Sequence, residues 1–156
     1  MTLAVAEAWV EPPLREFVSE ARVFLALLLH PSGQVLAQHG FTKAVDVMSA
    51  CALAAAIHAS SGELGRQLEG KPFEVLHHAG KERQIFLAPV STPGSRFILL
   101  AVFDHQSSLG LVQLYFNEFR AAMTKAAPPP SAPVAPVLAK DFESELNRNL
   151  AALFGR

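Results

Sequence analysis

The sequence predicts a layered α/β domain whose elements follow the order α-β-β-α-β-β-β-α, with a further helix near the C-terminal end. Three observations support this prediction. Two apolar runs of strand length are joined by a turn sequence, three more such runs are separated by turn sequences, and stretches with helical spacing lie before, between and after them. At 156 residues the chain is about one domain long.

The first part of the chain predicts a short helix followed by a hairpin. After Pro12 and Pro13, the sequence LREFVSEA predicts a short helix with three apolar side chains on one face: Leu14, Phe17 and Val18. Residues 23–29 are continuously apolar, HPSG is a turn sequence, and residues 34–39 alternate between apolar and polar. The two runs therefore predict a pair of adjacent strands.

Residues 41–62 predict the central helix of the fold. This stretch contains no proline, has no glycine before its last residue, and is rich in alanine, which has the highest helix propensity. Small side chains also allow another backbone to approach closely. Gly62 and Gly65 are expected to end the helix, because glycine is common just after helix ends.

Three more strands are predicted before the last helix of the domain, at residues 73–78, 83–90 and 97–103. The sequences AGKE and STPGS between them are typical of turns. After residue 103 the apolar spacing changes from that of a strand to steps of three and four starting at Leu109. Asp104, Ser107 and Ser108 lie at this junction and can accept hydrogen bonds from the unpaired N–H groups of a helix start.

The composition limits the classes of partner and compartment. Lys and Arg total 13 and Asp and Glu 14, for a formal net charge of −1, so no global positive charge favours nucleic acid or an anionic membrane. Residues 45–59, the longest apolar stretch, fall short of the roughly 20 residues that span a bilayer. The single cysteine, Cys51, fits a reducing compartment. We therefore expect a cytoplasmic protein without membrane segments, and the 51% hydrophobic composition favours self-association.

The C-terminal part predicts a linker and an amphipathic helix outside the domain of residues 1–125. Residues 126–137 are rich in proline and favour an extended conformation. Residues 138–156 return to helical spacing, with Asp141 as a possible N-terminal cap. Their apolar side chains form the stripe of a helix that docks in a groove: Phe142, Leu146, Leu150, Leu153 and Phe154. The alternative is an unattached end that happens to be amphipathic.

The junction after residue 103 carries a family resemblance. The sequence FDHQSSLGLVQL resembles the signature of the MglB branch of the Roadblock/dynein light chain family, and the likeness extends over residues 22–123. It implies a Roadblock or profilin-like fold, with a five-stranded antiparallel sheet between helices. It also implies a homodimer that binds an MglA-type Ras-like GTPase, accelerates its GTP hydrolysis and acts in cell polarity or motility, with a possible polar location.

The resemblance also indicates where partners bind. In that family the paired central helices form the platform for the GTPase, and the tail ends in a short amphipathic segment. We expect the GTPase to contact one face of the central helix, formed by Lys43, Asp46, Ala50, Leu53, Ala54 and Ile57. The third strand is expected to pair with its symmetry mate while the two central helices pack together, and Ala55→Arg is expected to break this dimer if Ala55 lies at its axis. We expect the tail helix to contact a second site on the GTPase.

A few residues are candidates for a catalytic or metal site, and each has a simpler interpretation. The sequence contains no known nucleophile, phosphate-loop or metalloprotease motif. Cys51 and His58 share a helix face, yet a zinc site needs further ligands, so a core thiol and a partly exposed imidazole are the simpler interpretation. Arg66, Arg83 and Arg96 are formal arginine-finger candidates, but the family acts by repositioning the GTPase's own residues. We expect neither cofactor nor catalytic residue; a non-catalytic adaptor that tethers a GTPase is the alternative, and an enzyme or ligand sensor is disfavoured.

Overall fold

The computed structural model describes residues 8–130 and 145–153 and has the predicted order of elements. The first helix was predicted to begin after Pro12 and Pro13, but it begins at Glu11 and the two prolines lie in its first turn. The helices and strands of the domain are α1 (Glu11–Ala21), β1 (Leu25–Leu29), β2 (Val35–Gly40), α2 (Val47–Glu69), β3 (Leu76–Ala79), β4 (Gln84–Thr92), β5 (Ser95–Phe103) and α3 (Leu109–Ala126). Short 3-10 turns at Ala8–Val10 and Thr42–Ala44 precede α1 and α2.

The strands form a five-stranded antiparallel sheet in the order β2-β1-β5-β4-β3, which confirms the predicted fold class. The apolar strand β1 pairs with the apolar part of β5 in the centre of the sheet, with Leu27 opposite Leu100. Within the described residues β2 and β3 are the edge strands. β3 is short and three of its four side chains are exposed, so its outer backbone groups are open to another strand.

Helices cover the two faces of the sheet with side chains of different size. α1 and α3 pack together on one face, where large aromatic rings fill the core; the Phe17 and Phe119 ring centroids are 5.6 Å apart and those of Phe86 and Phe116 are 5.1 Å apart. α2 covers the other face with Cys51, Ala54 and Ala55. Large side chains therefore fill the layer of α1 and α3, whereas small side chains allow α2 to pack closely on the sheet.

α2 begins and ends later than the sequence predicted. Asp46 caps it, since one carboxylate oxygen accepts a hydrogen bond from the Ser49 N–H at 3.2 Å. The expectation that Gly62 and Gly65 end the helix was wrong: both are buried within it, and Gly70 ends it with a left-handed φ of 77°. Gly65 instead makes room for residues 71–73, which return along the helix, whereas Gly62 lies beside Pro72 with space for a methyl group.

The junction before α3 has the predicted capping role and also holds α1. The Ser108 hydroxyl oxygen accepts a hydrogen bond from the Leu111 N–H at 3.2 Å, and an Asp104 carboxylate oxygen accepts one from the Gln106 N–H at 2.9 Å. The Ser107 hydroxyl donates to the carbonyl oxygen of Ala21 at 2.5 Å. The short polar segment therefore starts one helix and fixes the end of the other.

Residues 145–153 are helical and form α4, inside the helix predicted for residues 138–156. Leu146, Leu150 and Leu153 are 45%, 44% and 77% exposed. Phe142 and Phe154 of the predicted stripe lie outside the described residues, as does most of the predicted linker. The three described leucines therefore expose an apolar stripe to solvent, which is what a docking helix requires.

The two internal glycines of α2 provide a matched pair of substitutions. A methyl group at Gly65 would overlap the Phe73 nitrogen and lie 2.6 Å from the Lys71 carbonyl oxygen, whereas at Gly62 its nearest neighbour, Pro72, is 3.7 Å away. We expect Gly65→Ala to destabilise the domain despite the gain in helix propensity. Gly62→Ala should stabilise it by up to about 1 kcal/mol. Urea unfolding measures both, and a stabilised Gly65→Ala variant would contradict the close packing.

Candidate partner-binding surface

One side of α2 packs on the sheet through small residues. Cys51, Ala54 and Ala55 are at most 7% exposed and lie against leucines of β1, β4 and β5. Because burial disfavours the thiolate, the pKa of Cys51 is raised to about 11. This cysteine is therefore a core side chain with little nucleophilic character at neutral pH.

The exposed side of α2 carries an apolar stripe. Leu53, Leu64 and Leu68 are 62%, 51% and 68% exposed, and Ile57 between them is partly buried. At 3.6 residues per turn these four side chains lie within about 60° of one another around the helix. By length and composition alone α2 would pass as a membrane span, with a mean hydropathy of 1.2; the sheet-packed face and this stripe account for that apolar character.

The stripe lies on the β3 side of α2. On the opposite flank, Ala52 faces the β1–β2 turn, since a methyl group at Gly33 would be 3.2 Å from the Ala52 Cα. Ile57 and Leu76 of β3 pack against the same core cluster, and Val75, just before β3, is 50% exposed. The stripe and the open strand edge therefore form one surface, which we call the α2–β3 surface.

The six residues predicted to contact a GTPase differ in their exposure to solvent. Lys43, Asp46 and Leu53 are exposed, and Ala50 and Ile57 are partly buried against the sheet. Ala54 does not lie on that face: it is 3% exposed and packs on the sheet. Ala55, the residue considered for a dimer axis, is 7% exposed and faces the sheet and the β1–β2 turn, so its side chain is not available for contact with a second copy.

The sequence interpretation missed Leu64 and Leu68, because it ended the helix at Gly62. The spacing of Leu53, Ile57, Leu64 and Leu68 continues one helical stripe through both glycines, and this period was the available signal. A glycine that packs against a returning chain looks the same in sequence as one that ends a helix. Only the course of residues 71–73 separates the two cases.

The three candidate arginines occupy two different places. Arg66 and Arg96 line a pocket of about 270 Å³ together with His58 and Glu74, and Arg66 also pairs with Glu63 at 3.1 Å. Arg83 lies elsewhere, with its guanidinium 4.1 Å from the centre of the Phe24 ring. Phe24 in turn stacks on Phe41 at 5.1 Å, and Phe41 is 68% exposed. The fold therefore does not gather the arginines around one site.

The two candidate metal ligands, Cys51 and His58, lie in different surroundings. Cys51 is fully buried, and His58 lies in the pocket with Arg66 and Arg96. In residues 8–130 and 145–153 the structure contains no group of three His, Cys, Asp or Glu side chains arranged to hold a metal ion. Among the described residues, α2 therefore offers an apolar surface for contact, with arginine side chains beside it.

The chain is similar to proteins of known structure. No protein-family model and no curated protein sequence matches it. MglB of Myxococcus xanthus superposes with a TM-score of 0.68 and 27% identity, over 74% of this chain and 92% of that one. An MglB with a tetrameric arrangement gives 0.65 and 25%, over 76% and 87%. A Roadblock/LC7 domain from Streptomyces avermitilis gives 0.56 and 16%, over 66% and 83%.

The pocket around His58 predicts a pH dependence of stability. Burial and, next, the nearby Arg96 charge lower the pKa of His58 below its ordinary value of 6.5, while Glu74 acts in the opposite direction. A lowered folded-state pKa means that the unfolded chain binds more protons, so this contribution is present above the unfolded pKa and is lost as pH falls below it.

We therefore expect the free energy of unfolding to fall on acidification through about pH 6.5, and His58→Gln to reduce the slope. Urea unfolding at pH values on either side of 6.5 measures it. His105→Gln, in the exposed junction before α3, is the control. Equal slopes for wild type and His58→Gln would show that the pocket does not disfavour the imidazolium.

Proposed function

We propose that this chain, whose fold is the Roadblock fold of the MglB proteins, is a homodimeric regulator of a Ras-like GTPase of the MglA type. The observation that carries the proposal is the α2–β3 surface, an apolar helix stripe beside an open strand edge on an MglB-like fold. Such a surface suits self-association, and the paired helices would then offer a platform to a partner. The proposed cellular role is control of polarity or motility, and the proposed location is the cytoplasm, including a cell pole.

The dimer is proposed to join β3 and α2 of two copies. Edge strands that remain unpaired tend to pair with another chain, and three leucines more than half exposed on one helix stripe are unusual on a monomer surface. A two-fold axis near β3 would pair both edges and bring Leu64 and Leu68 of the two copies together, which leaves Leu53 and Ile57 for the GTPase. The MglB solved in a tetrameric arrangement supports self-association as a property of this fold.

The regulatory action is proposed to come from contact rather than from residues supplied to the GTPase active site. Arg66 is engaged by Glu63 and Arg83 stacks on Phe24, so each of these arginines already has an intramolecular partner. The proposed contact uses Lys43, Asp46, Leu53, Ala50 and Ile57, without the buried Ala54. Acceleration would follow from reordering the partner's switch segments. The tail helix is proposed to add a second contact.

The dimer predicts that a charge on the stripe separates the two copies. Leu64→Asp should convert the dimer to a monomer, because it would place a carboxylate in an apolar interface. Leu114→Asp is the matched control, since Leu114 has a similar exposure of 53% but lies on α3, across the sheet. Light scattering at micromolar concentration reads the mass. A wild-type monomer, or a dimer in both variants, would overturn the proposed interface.

The regulatory proposal is tested by GTP hydrolysis with an MglA-type GTPase from the same organism. We expect faster hydrolysis on addition of the wild-type chain, and Arg66→Ala, Arg83→Ala and Arg96→Ala should each keep most of it. An arginine finger is worth roughly 10³ to 10⁵ in rate, so a loss of that size with binding intact would reveal one. Binding without acceleration would favour a tethering adaptor, and no binding would refute the proposal.

A further inference from the structure

A second apolar surface lies on the other flank of α2. A groove of about 630 Å³ runs between β2 and the first turns of α2, a size typical of binding pockets, which are roughly 300 to 1,000 Å³. Met48, at 73% exposure, forms one wall. The remaining apolar lining is Val35, Ala37, Val45, Val47 and Ala52. Because β2 is an edge strand, a segment bound here would also cover that edge.

We propose that the chain's own C-terminal helix occupies this groove when no partner protein is bound. The proposal is independent of the proposed GTPase function, because it concerns two surfaces of one chain. The helix, residues 145–153, exposes Leu146, Leu150 and Leu153 at steps of four and three. Isolated helices shorter than roughly 12 to 15 residues are marginal in water, so contact with an apolar surface stabilises it.

The described part of the domain ends close to one end of the groove. The Cα of Pro130 is 3.8 Å from the position of a methyl group at Gly94, so the chain leaves the domain against the β4–β5 turn. This turn lines one pocket together with His30 and Pro31 of the β1–β2 turn. Gly33 in that same turn is at the end of the groove. The exit and the groove are thus linked by two adjacent turns.

The length of the tail fits this location. Residues 131–144 separate Pro130 from the helix, and about 14 extended residues reach up to ~43 Å. The helix of residues 145–153 is about 12 Å long at 1.5 Å per residue, and the groove edge at residues 33–38 is about 16 Å long. A short tether gives the helix an effective concentration in the millimolar range, which favours the chain's own groove over separate molecules.

The three methionines allow a direct test on the full-length chain. With ¹³C-methyl methionine labelling, Met48 reports on the groove, whereas Met123 is buried in the opposite layer. We expect Leu150→Asp with Leu153→Asp to move the Met48 methyl resonance by more than its linewidth and to leave Met123 in place. Met48→Leu assigns the signal. Arg148→Asp adds the same carboxylate to the opposite helix face and should leave the Met48 resonance in place.

The same experiment separates the possible occupants. An unchanged Met48 resonance in the double variant would overturn the proposal. A mixture of labelled double variant and excess unlabelled wild type distinguishes the chain's own tail from that of a second copy. We expect no recovery of the wild-type resonance, and recovery would assign the groove to another copy's tail. Because no GTPase is present, none of these results bears on GTP hydrolysis.

Discussion

The close approach of α2 to the sheet is the constraint on which the surfaces of this domain depend. The spacing of packed elements depends on the size of the side chains at the contact, and here those side chains are the small Cys51, Ala54 and Ala55. Gly65 likewise allows residues 71–73 to pack closely where the chain returns along the helix. Since the sheet-facing positions are small, the large apolar residues of α2 lie on its two flanks. The α2–β3 surface and the β2 groove both result from this arrangement.

The fold could be predicted from the sequence because local signals and the tertiary structure agree in most places. The polar junction after residue 103 predicted both the end of a buried strand and a helix start, and Ser108 caps α3 in the structure. The strands predicted at residues 83–90 and 97–103 were bounded by good turn sequences, and their observed ends differ by at most two residues. Where a capping residue or turn chemistry marked a boundary, the sequence was sufficient.

The surface of α2 was harder to predict than its presence, because the direction of a side chain depends on what the helix packs against. Ala54 and Leu53 are neighbours in sequence, yet one is buried on the sheet and the other is 62% exposed. An alanine-rich helix offers a weak hydrophobic contrast between its faces, so the sequence did not show which alanines meet the sheet. For the same reason the sequence did not show that Ala55 is buried against the sheet, and it put the helix end at Gly62, two turns before the observed end.

The two layers of the domain therefore have different capacities for partners. On the α1–α3 side, large rings such as Phe86, Phe116 and Phe119 fill the space above the sheet and leave little apolar surface to bury. On the α2 side, small residues meet the sheet and the leucines and Met48 remain outside. Burial of apolar surface drives association in proportion to area, so partners are expected on the α2 side. The two flanks of this one helix can then serve different occupants, a second copy beside β3 and the tail beside β2.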